Sequence, residues 1–258
     1  MLAGLSPARR RLFLVVGVLV VAAVVLASVL VRRAGTPAAA PVSQERPGPV
    51  LLVPGYGGST GALQALADRL IASGRDATVV RLPGDGTGDL AEAAAALART
   101  GAESVDVVGY SAGGVVARLW VADGGAGVAR RVVTLGSPHH GTSLADLALD
   151  VAPAQCPLGC IQLGLDSDVL ARLNAGDETP DGPTWVSIWT TQDSTVTPPD
   201  SARLEGALNL PVQGVCAQAR VSHGDLPRDP VVQAMVLLQL APGEPVALGA
   251  EDCARLGG

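Results

Sequence analysis

The chain contains no lysine and very few aromatic residues, although 48% of its 258 residues are apolar. Because aromatics make up only 2%, a sizeable core must be built from Val, Leu and Ala. Without lysine, the glycine-rich segment 84–88 lacks the side chain with which a P-loop binds phosphate, so we interpret it as an ordinary loop. A basic surplus is missing too: the net charge of −6 argues against nucleic acid as a partner.

Residues 12–31 form an apolar run between arginines at 9–11 and 32–33. About twenty such residues span a bilayer as a helix, so we predict a transmembrane anchor. A cleaved signal peptide is the alternative, since the small residues at 38–40 resemble a cleavage site. The apolar region of signal peptides is usually shorter than this run, about 7–15 residues. The paired arginines before the run also resemble a twin-arginine export signal, which its strongly apolar character disfavours.

Charge around this run predicts the arrangement of the chain. More arginine precedes the run than follows it, which places residues 1–11 in the cytoplasm. We predict a flexible tether at 32–48 and a folded domain at 49–258 outside the cytoplasm. The expected location is the cell membrane, with a single span; secretion after cleavage is the alternative.

Four cysteines, all in the C-terminal half, agree with export. Four cysteines allow three disulfide pairings, and the sequence alone proves none of them. Proximity favours Cys156 with Cys160, which leaves Cys216 with Cys253. A zinc site is the alternative, disfavoured because the second pair is widely spaced.

Short apolar strands alternate with helical patterns along residues 49–258. Strands are predicted at 49–53, 77–82, 105–108, 131–135 and 184–190, with helices at 63–71, 90–99, 111–122 and 230–240. This alternation predicts an α/β domain with a mainly parallel sheet covered by helices on both faces. Ligands of such sheets bind at the carboxyl ends of the strands.

One of these strands runs into Gly109-Tyr110-Ser111-Ala112-Gly113, and a helical segment follows. This is the Gly-x-Ser-x-Gly pattern of a nucleophile elbow, in which the serine lies on a sharp strand-to-helix turn. The match alone is weak, but a strand before and a helix after are the context that the motif requires. Ser111 is therefore the predicted nucleophile.

A serine hydroxyl needs a base, and histidine is the usual one. Of the three histidines, only His223 follows Ser111 with room for an acid between them, which is the order of this fold. Asp193 comes directly after a late predicted strand, where the triad acid is needed. The other acids lie in helical or turn-like contexts: Asp166, Asp168, Asp177, Asp181 and Asp200.

The transition state also requires donors for an oxyanion. We predict the backbone amides of Ala112, directly after the nucleophile, and of Tyr56, in the loop after the first strand. Glycines at 55, 57 and 58 allow that loop to approach the substrate closely.

Four segments together resemble the secreted bacterial lipases and esterases of the α/β-hydrolase superfamily (triacylglycerol lipase-like): residues 53–58, 109–114, 135–142 and the Asp193 loop. The resemblance covers about residues 50–240. It implies an α/β-hydrolase fold and hydrolysis of carboxylic esters through an acyl-enzyme, with Ser111, Asp193 and His223 as the triad. It implies no cofactor and no metal. Pro54-Gly55 stands where many lipases have His-Gly, which leaves the amide donor in place. His139 and His140 would be structural neighbours of the site.

The substrate is less determined than the chemistry. An ester or lipid is expected, and an acyltransferase acting on an envelope lipid or glycan remains an alternative. A non-catalytic surface binding protein on the same scaffold is disfavoured, since no triad member is missing. Residues 144–151 form a short amphipathic helix that is either a lid or a cover for the sheet, and we expect a cover. The sequence does not determine the oligomeric state; we expect a monomer.

Overall fold

The computed structural model describes residues 16–22, 24, 42–97 and 102–257. The chain divides into two compact units between Ala38 and Ala39. In the first unit, residues 16–22 and 24 are helical. The rest of the predicted span 12–31, the flank 1–11 and residues 32–41 of the predicted tether lie outside the described residues. Within the described ranges, no helix is both long enough and apolar enough to cross a membrane.

The second unit is built on a six-stranded parallel sheet in the order β2-β1-β3-β4-β5-β6. The strands are β1 (Val50–Val53), β2 (Ala77–Val79), β3 (Val105–Tyr110), β4 (Ala129–Leu135), β5 (Thr184–Trp189) and β6 (Leu208–Pro211). The predicted mainly parallel sheet is thereby confirmed. Since all strands run the same way, the loops after β1, β3, β4 and β5 meet at one edge.

Helices connect the strands. They are α1 (Gly61–Ala72), α2 (Leu90–Ala95), α3 (Ala112–Ala122), α4 (Ser143–Val151), α5 (Leu158–Ile161), α6 (Asp168–Leu173), α7 (Val212–Val215), α8 (Pro230–Gln239) and α9 (Cys253–Leu256). Short 3-10 turns lie at Gly125–Gly127, Pro153–Gln155, Pro199–Ala202, His223–Asp225 and Ala250–Asp252.

Two buried clusters of aliphatic side chains hold these helices to opposite faces of the sheet. Val108 of β3 belongs to the cluster that includes Leu66 of α1 and Met235 of α8. Val107, its neighbour in the strand, belongs to the cluster that includes Val115 of α3. Successive strand residues point to opposite faces, so β3, which is buried at every residue except its last, packs on both.

The two edge strands differ from the sequence prediction. β2 ends at Val79, three residues earlier than predicted, where the chain turns toward the loop at 83–89. β6 was not predicted, because it has four residues and only Leu210 is buried. The side chain of Asn209, in this strand, bonds both the N–H and the carbonyl of Leu204 in the preceding loop (3.0 and 2.8 Å). Edge strands carry little apolar pattern, which explains why both were hard to define.

Residues 42–48, which the sequence assigned to the tether, are bound to the amino-terminal end of the sheet. The backbone carbonyl of Gln44 accepts a bond from Arg130 Nη1 (2.9 Å), and its side-chain oxygen accepts from Arg131 Nη2 (2.8 Å). Gln44 Nε2 donates to the carbonyl of Arg130 (3.0 Å). The compact unit accordingly begins before residue 49.

The four cysteines form two disulfides, Cys156–Cys160 and Cys216–Cys253. This is the pairing that proximity favours, and the predicted disulfides are thus present. The first closes a small loop before and within α5. The second ties α9 to the core beneath α8, where Cys216 is buried.

Candidate active site

Ser111 lies on a sharp turn between β3 and α3. Its φ of 53° is the only positive value at a non-glycine residue in the part of the chain that the structure describes. Its N–H donates to the carbonyl of Leu135 in β4 (2.8 Å), and α3 begins with the next residue. A Cβ at Gly113 would lie 2.2 Å from the carbonyl oxygen of Val53, so only glycine fits there. The strand, turn and helix therefore have the geometry of a nucleophile elbow.

His223 connects Ser111 to Asp193. Its Nε2 lies 3.0 Å from Ser111 Oγ, and its Nδ1 lies 2.7 Å from Asp193 Oδ2. A carboxylate accepts only, so Nδ1 carries the proton and Nε2 is the acceptor for the serine hydroxyl. The sequence placed these residues 112 and 30 positions apart, and the fold brings them into one hydrogen-bonded row.

Asp193 is oriented by its own loop. Its side chain is fully buried, and Oδ1 accepts bonds from the N–H groups of Thr195 and Val196 (both 2.8 Å). This leaves Oδ2 directed at His223. The loop follows β5 directly, as the position of the predicted strand required.

Tyr110 contacts His223 in two ways. Its hydroxyl donates to the carbonyl of His223 (3.2 Å), and the two ring centroids are 5.2 Å apart. Burial raises the pKa of Tyr110 to about 12, with Asp193 as a smaller cause. The hydroxyl therefore keeps its proton, and its bond to His223, at any pH at which a histidine base works.

The two backbone N–H groups predicted to bind an oxyanion belong to Ala112 and Tyr56, which lie next to Ser111 in the chain and with it in the lining of one cavity, respectively. Ala112 is the first residue of α3, so its amide belongs to the free N–H groups of the helix end. Tyr56 lies in the oxyanion loop, residues 54–58, after β1. In the described part of the chain, neither amide has a protein acceptor. A Cβ at Gly55 would lie 3.5 Å from Ser111 Oγ, which shows how closely this loop approaches the nucleophile.

The other histidines do not contact Ser111. His139 is fully buried, and its Nε2 lies 3.1 Å from Thr134 Oγ1. Burial holds the pKa of His139 well below 6.5, and the nearby Arg118 lowers it further. His140 Nε2 lies 2.8 Å from Glu178 Oε1. Both histidines are neighbours of the site and not members of the row.

The alternative acids are also elsewhere. None of them makes a hydrogen bond or an ion pair with His223 among the described residues: Asp166, Asp168, Asp177, Asp181 and Asp200. Across the same part of the chain, no three His, Cys, Asp or Glu side chains are placed to hold a metal ion.

An apolar cavity of about 210 Å³ opens beside Ser111. Its lining consists of Tyr56, Ser111, Pro138, Thr142, Leu144, Ala145, Ala148, Cys160, Leu163, Thr195 and Val196. A second cavity of about 190 Å³ is lined by residues 82–90 together with Gly55 of the oxyanion loop and Ala112. Ser111 therefore lies beside an apolar cavity that is large enough for an acyl chain.

Helix α4 borders the apolar cavity instead of covering the sheet. Leu144, Leu147 and Val151 are 44%, 56% and 75% exposed, and Ala145 is its one buried residue. The expectation that this apolar face covers the sheet is therefore wrong. The amphipathic pattern is real, but it faces the mouth of the site and solvent.

No contact with the site was predicted from the sequence for Tyr110, the loop at 83–89 or Gln162. Tyr110 lies inside the elbow motif, so its position was a signal for contact with the histidine. The other two have no motif, because their role depends on contacts far apart in the chain.

Comparison with known proteins agrees with this geometry. The sequence pattern of the family Lipase (class 2) matches residues 93–234, more than half of the chain. The fold resembles Aspergillus fumigatus lipase B (TM-score 0.63, 19% identity), covering 84% of this chain and 62% of that one. It also resembles Bacillus licheniformis lipase BlEst2 in its mature form (TM-score 0.62, 20% identity), covering 80% and 96%.

The propeptide form of the Bacillus licheniformis lipase gives a TM-score of 0.57 at 20% identity, with 83% of this chain and 55% of that chain covered. This chain thus spans less than two thirds of that form and of the Aspergillus fumigatus lipase. At such identities the likeness shows the fold.

Proposed function

The chain belongs to the class 2 lipase family, and from this premise we propose that it hydrolyses carboxylic esters through an acyl-enzyme formed on Ser111. The observation that carries the proposal is the row Ser111 Oγ, His223 and Asp193, joined at 3.0 and 2.7 Å beside an apolar cavity. Row and cavity together offer a nucleophile, a base and room for an acyl chain.

Acylation begins when Ser111 Oγ attacks the ester carbonyl carbon. His223 Nε2 takes the hydroxyl proton and becomes an imidazolium, which the buried carboxylate of Asp193 stabilises. The C–O bond to the alcohol then breaks, and the imidazolium gives its proton to the leaving oxygen. A water activated by the same imidazole releases the carboxylic acid and restores Ser111.

The carbonyl oxygen becomes negative at the tetrahedral stage. The amides of Ala112 and Tyr56 are the donors in this proposal, aided by the positive end of the α3 dipole. Fixed donors stabilise the oxyanion more than the neutral carbonyl, which is why they increase the rate and do not merely tighten binding.

The lining of the cavity favours an aliphatic acyl group. Each buried CH₂ contributes about 0.8 kcal/mol, so longer chains gain affinity until the cavity is full. Two of the side chains that line it are exposed and apolar in character, Leu144 of α4 at 44% and Tyr56 at 40%. An apolar rim of this kind fits substrates presented from a lipid aggregate as well as dissolved esters.

Hydrolysis of p-nitrophenyl esters from acetate to palmitate tests the proposal. We expect turnover by the wild type and a loss of at least 10³-fold in kcat for Ser111→Ala, with unchanged circular dichroism. A Ser137→Ala variant, at a buried serine outside the row, is the matched control. Retained turnover in Ser111→Ala contradicts the assignment.

We also propose that the protein is membrane-anchored through residues 12–31, with the hydrolase unit outside the cytoplasm. The apolar run with its arginine flanks and the two disulfides support this location. Alkaline carbonate extraction of membranes tests it: the protein should stay in the pellet, and a variant without residues 1–41 should be released. Wild-type protein in the supernatant contradicts the anchor.

A further inference from the structure

The oxyanion loop is held from outside by the loop at residues 83–89. The N–H of Gly57 donates to the carbonyl of Gly86 (3.1 Å). Gly86 has a φ of +74°, and a Cβ on it would lie 2.5 Å from the backbone nitrogen of Gly58. The two loops thus touch backbone to backbone, and the position of the first depends on the second.

The loop at 83–89 is held in turn by the segment 156–162. The N–H of Gly159 donates to the carbonyl of Thr87 (3.0 Å). Gln162 Nε2 donates to Asp89 Oδ1, and Gln162 Oε1 accepts from the N–H of Leu90, both at 2.9 Å. The bond from Gln162 is the largest cause of a lowered pKa at Asp89, so this carboxylate stays charged and bonded.

The segment 156–162 is itself constrained by a disulfide. Cys156 and Cys160 are both buried, at 4% and 8% exposed, and the bridge spans four positions. So short a loop constrains the denatured chain less than the 37-position loop closed by Cys216–Cys253 does. Its effect is therefore concentrated on local geometry, at the wall of the cavity beside Ser111 that Cys160 lines.

We propose that the segment 156–162 braces the oxyanion loop through the loop at 83–89, with Gln162 and the Cys156–Cys160 disulfide as positioning residues. The proposal rests on the proposed function, because the brace matters only if Tyr56 donates to an oxyanion. Loss of a whole oxyanion donor costs about 10²–10³ in kcat. Loosening the loop that carries one should cost part of that, about tenfold.

Gln162→Ala tests the brace, with Gln239→Ala as its matched control. Gln239 is fully buried and also makes two bonds, to the carbonyl and the N–H of Val246 (2.8 and 2.9 Å), at the opposite end of the sheet. We expect Gln162→Ala to lower kcat about tenfold with little change in KM. Gln239→Ala should lower Tm and leave kcat of the folded protein unchanged.

A trifluoromethyl ketone forms an adduct with serine that carries an oxyanion. Its inhibition constant Ki therefore reports oxyanion binding and is not changed by a loss of stability alone. Its Ki should rise in Gln162→Ala by the factor by which kcat/KM falls, and should not change in Gln239→Ala. The paired variant Cys156→Ser/Cys160→Ser should show the same rise in Ki and fall in kcat/KM. Cys216→Ser/Cys253→Ser should lower Tm more and change neither quantity.

Suppose that the wild type is active and that Gln162→Ala and folded Cys156→Ser/Cys160→Ser have kcat and Ki within twofold of it. This result overturns the brace and leaves the proposed function in place. A wild type that neither hydrolyses esters nor reacts with a fluorophosphonate overturns the proposed function and the brace with it.

Discussion

Tyr110 illustrates how a residue inside the elbow motif acts on the base instead of on the substrate. It sits between the strand that delivers Ser111 and the turn that delivers His223, bonding the carbonyl of His223 and placing its ring 5.2 Å from the imidazole. An aromatic face within about 6 Å of a cation is favourable. In the proposed mechanism the ring would therefore stabilise the imidazolium of the transition state, and the hydroxyl holds the backbone of His223 in place.

Two substitutions at Tyr110 separate these contributions. Tyr110→Phe loses one hydrogen bond of about 1 kcal/mol and should lower kcat/KM about fivefold. Tyr110→Leu also loses the ring and with it a cation–π contact of about 0.5–1 kcal/mol, so kcat/KM should fall about threefold further. Hydrolysis of a short ester by the folded variants measures both; equal kcat/KM in Tyr110→Phe and Tyr110→Leu would contradict the role of the ring.

His139 should make the fold sensitive to acid. Its folded pKa lies well below 6.5, so below pH 6.5 the unfolded chain binds a proton that the folded chain does not. The stability that His139 contributes is complete above pH 6.5 and decreases below it, by up to about 1.4 kcal/mol per pH unit. Urea unfolding at pH 5, 6 and 7 should show this slope reduced in His139→Asn and retained in His140→Asn. Equal slopes in all three proteins would contradict it.

At the scale of elements, helix α4 has the active-site cavity on one side and a cavity of about 420 Å³ on the other. Ala148 lines the first, and Leu149 lines the second. Ala148→Phe should fill the acyl space and lower kcat/KM for decanoate more than tenfold relative to butyrate, since several CH₂ contacts of about 0.8 kcal/mol are lost. Leu149→Phe, on the same helix, should keep the wild-type chain-length preference. A parallel decline for both esters in Ala148→Phe would place the acyl chain elsewhere.

The sequence was most informative about elements whose pattern is local. The buried strands, the elbow at Ser111 and the order of Asp193 and His223 all follow from short-range composition and motif spacing, and the structure brings those three side chains together. For α4, the same kind of pattern predicted an apolar face, but not that this face borders the cavity instead of packing on the sheet. Gln162 looks like any polar residue at the end of a short helix, because its bonds to Asp89 and Leu90 join positions 73 and 72 apart.

At the scale of the whole molecule, the second unit contains a buried charge network at the end of the sheet opposite Ser111. Asp106 accepts from Arg130 Nε and Nη2 (both 2.7 Å) and from Arg75 Nη2 (2.6 Å), and neither Asp106 nor Arg130 is exposed. Arg130 also bonds the carbonyls of Gln44 and Leu240. The network therefore joins the start of the unit, the middle of the sheet and the end of α8.

Asp106→Asn should destabilise the unit by about 3–5 kcal/mol, because it leaves a buried guanidinium without its charge partner. Arg255→Gln, which removes the exposed pair with Asp252, should cost less than about 1 kcal/mol. Chemical unfolding measures both. Since the network is remote from Ser111, kcat of folded Asp106→Asn should equal that of the wild type. A change below 1 kcal/mol in Asp106→Asn would contradict the importance of the network.

The most direct measurement of the central claim is labelling of the purified protein with a fluorophosphonate, followed by peptide mass mapping. Such probes react with a serine only when a base activates it. The account predicts a single adduct on Ser111 that is absent in Ser111→Ala and strongly reduced in His223→Ala. No adduct on folded wild-type protein, or undiminished labelling in His223→Ala, would contradict an activated serine at this site.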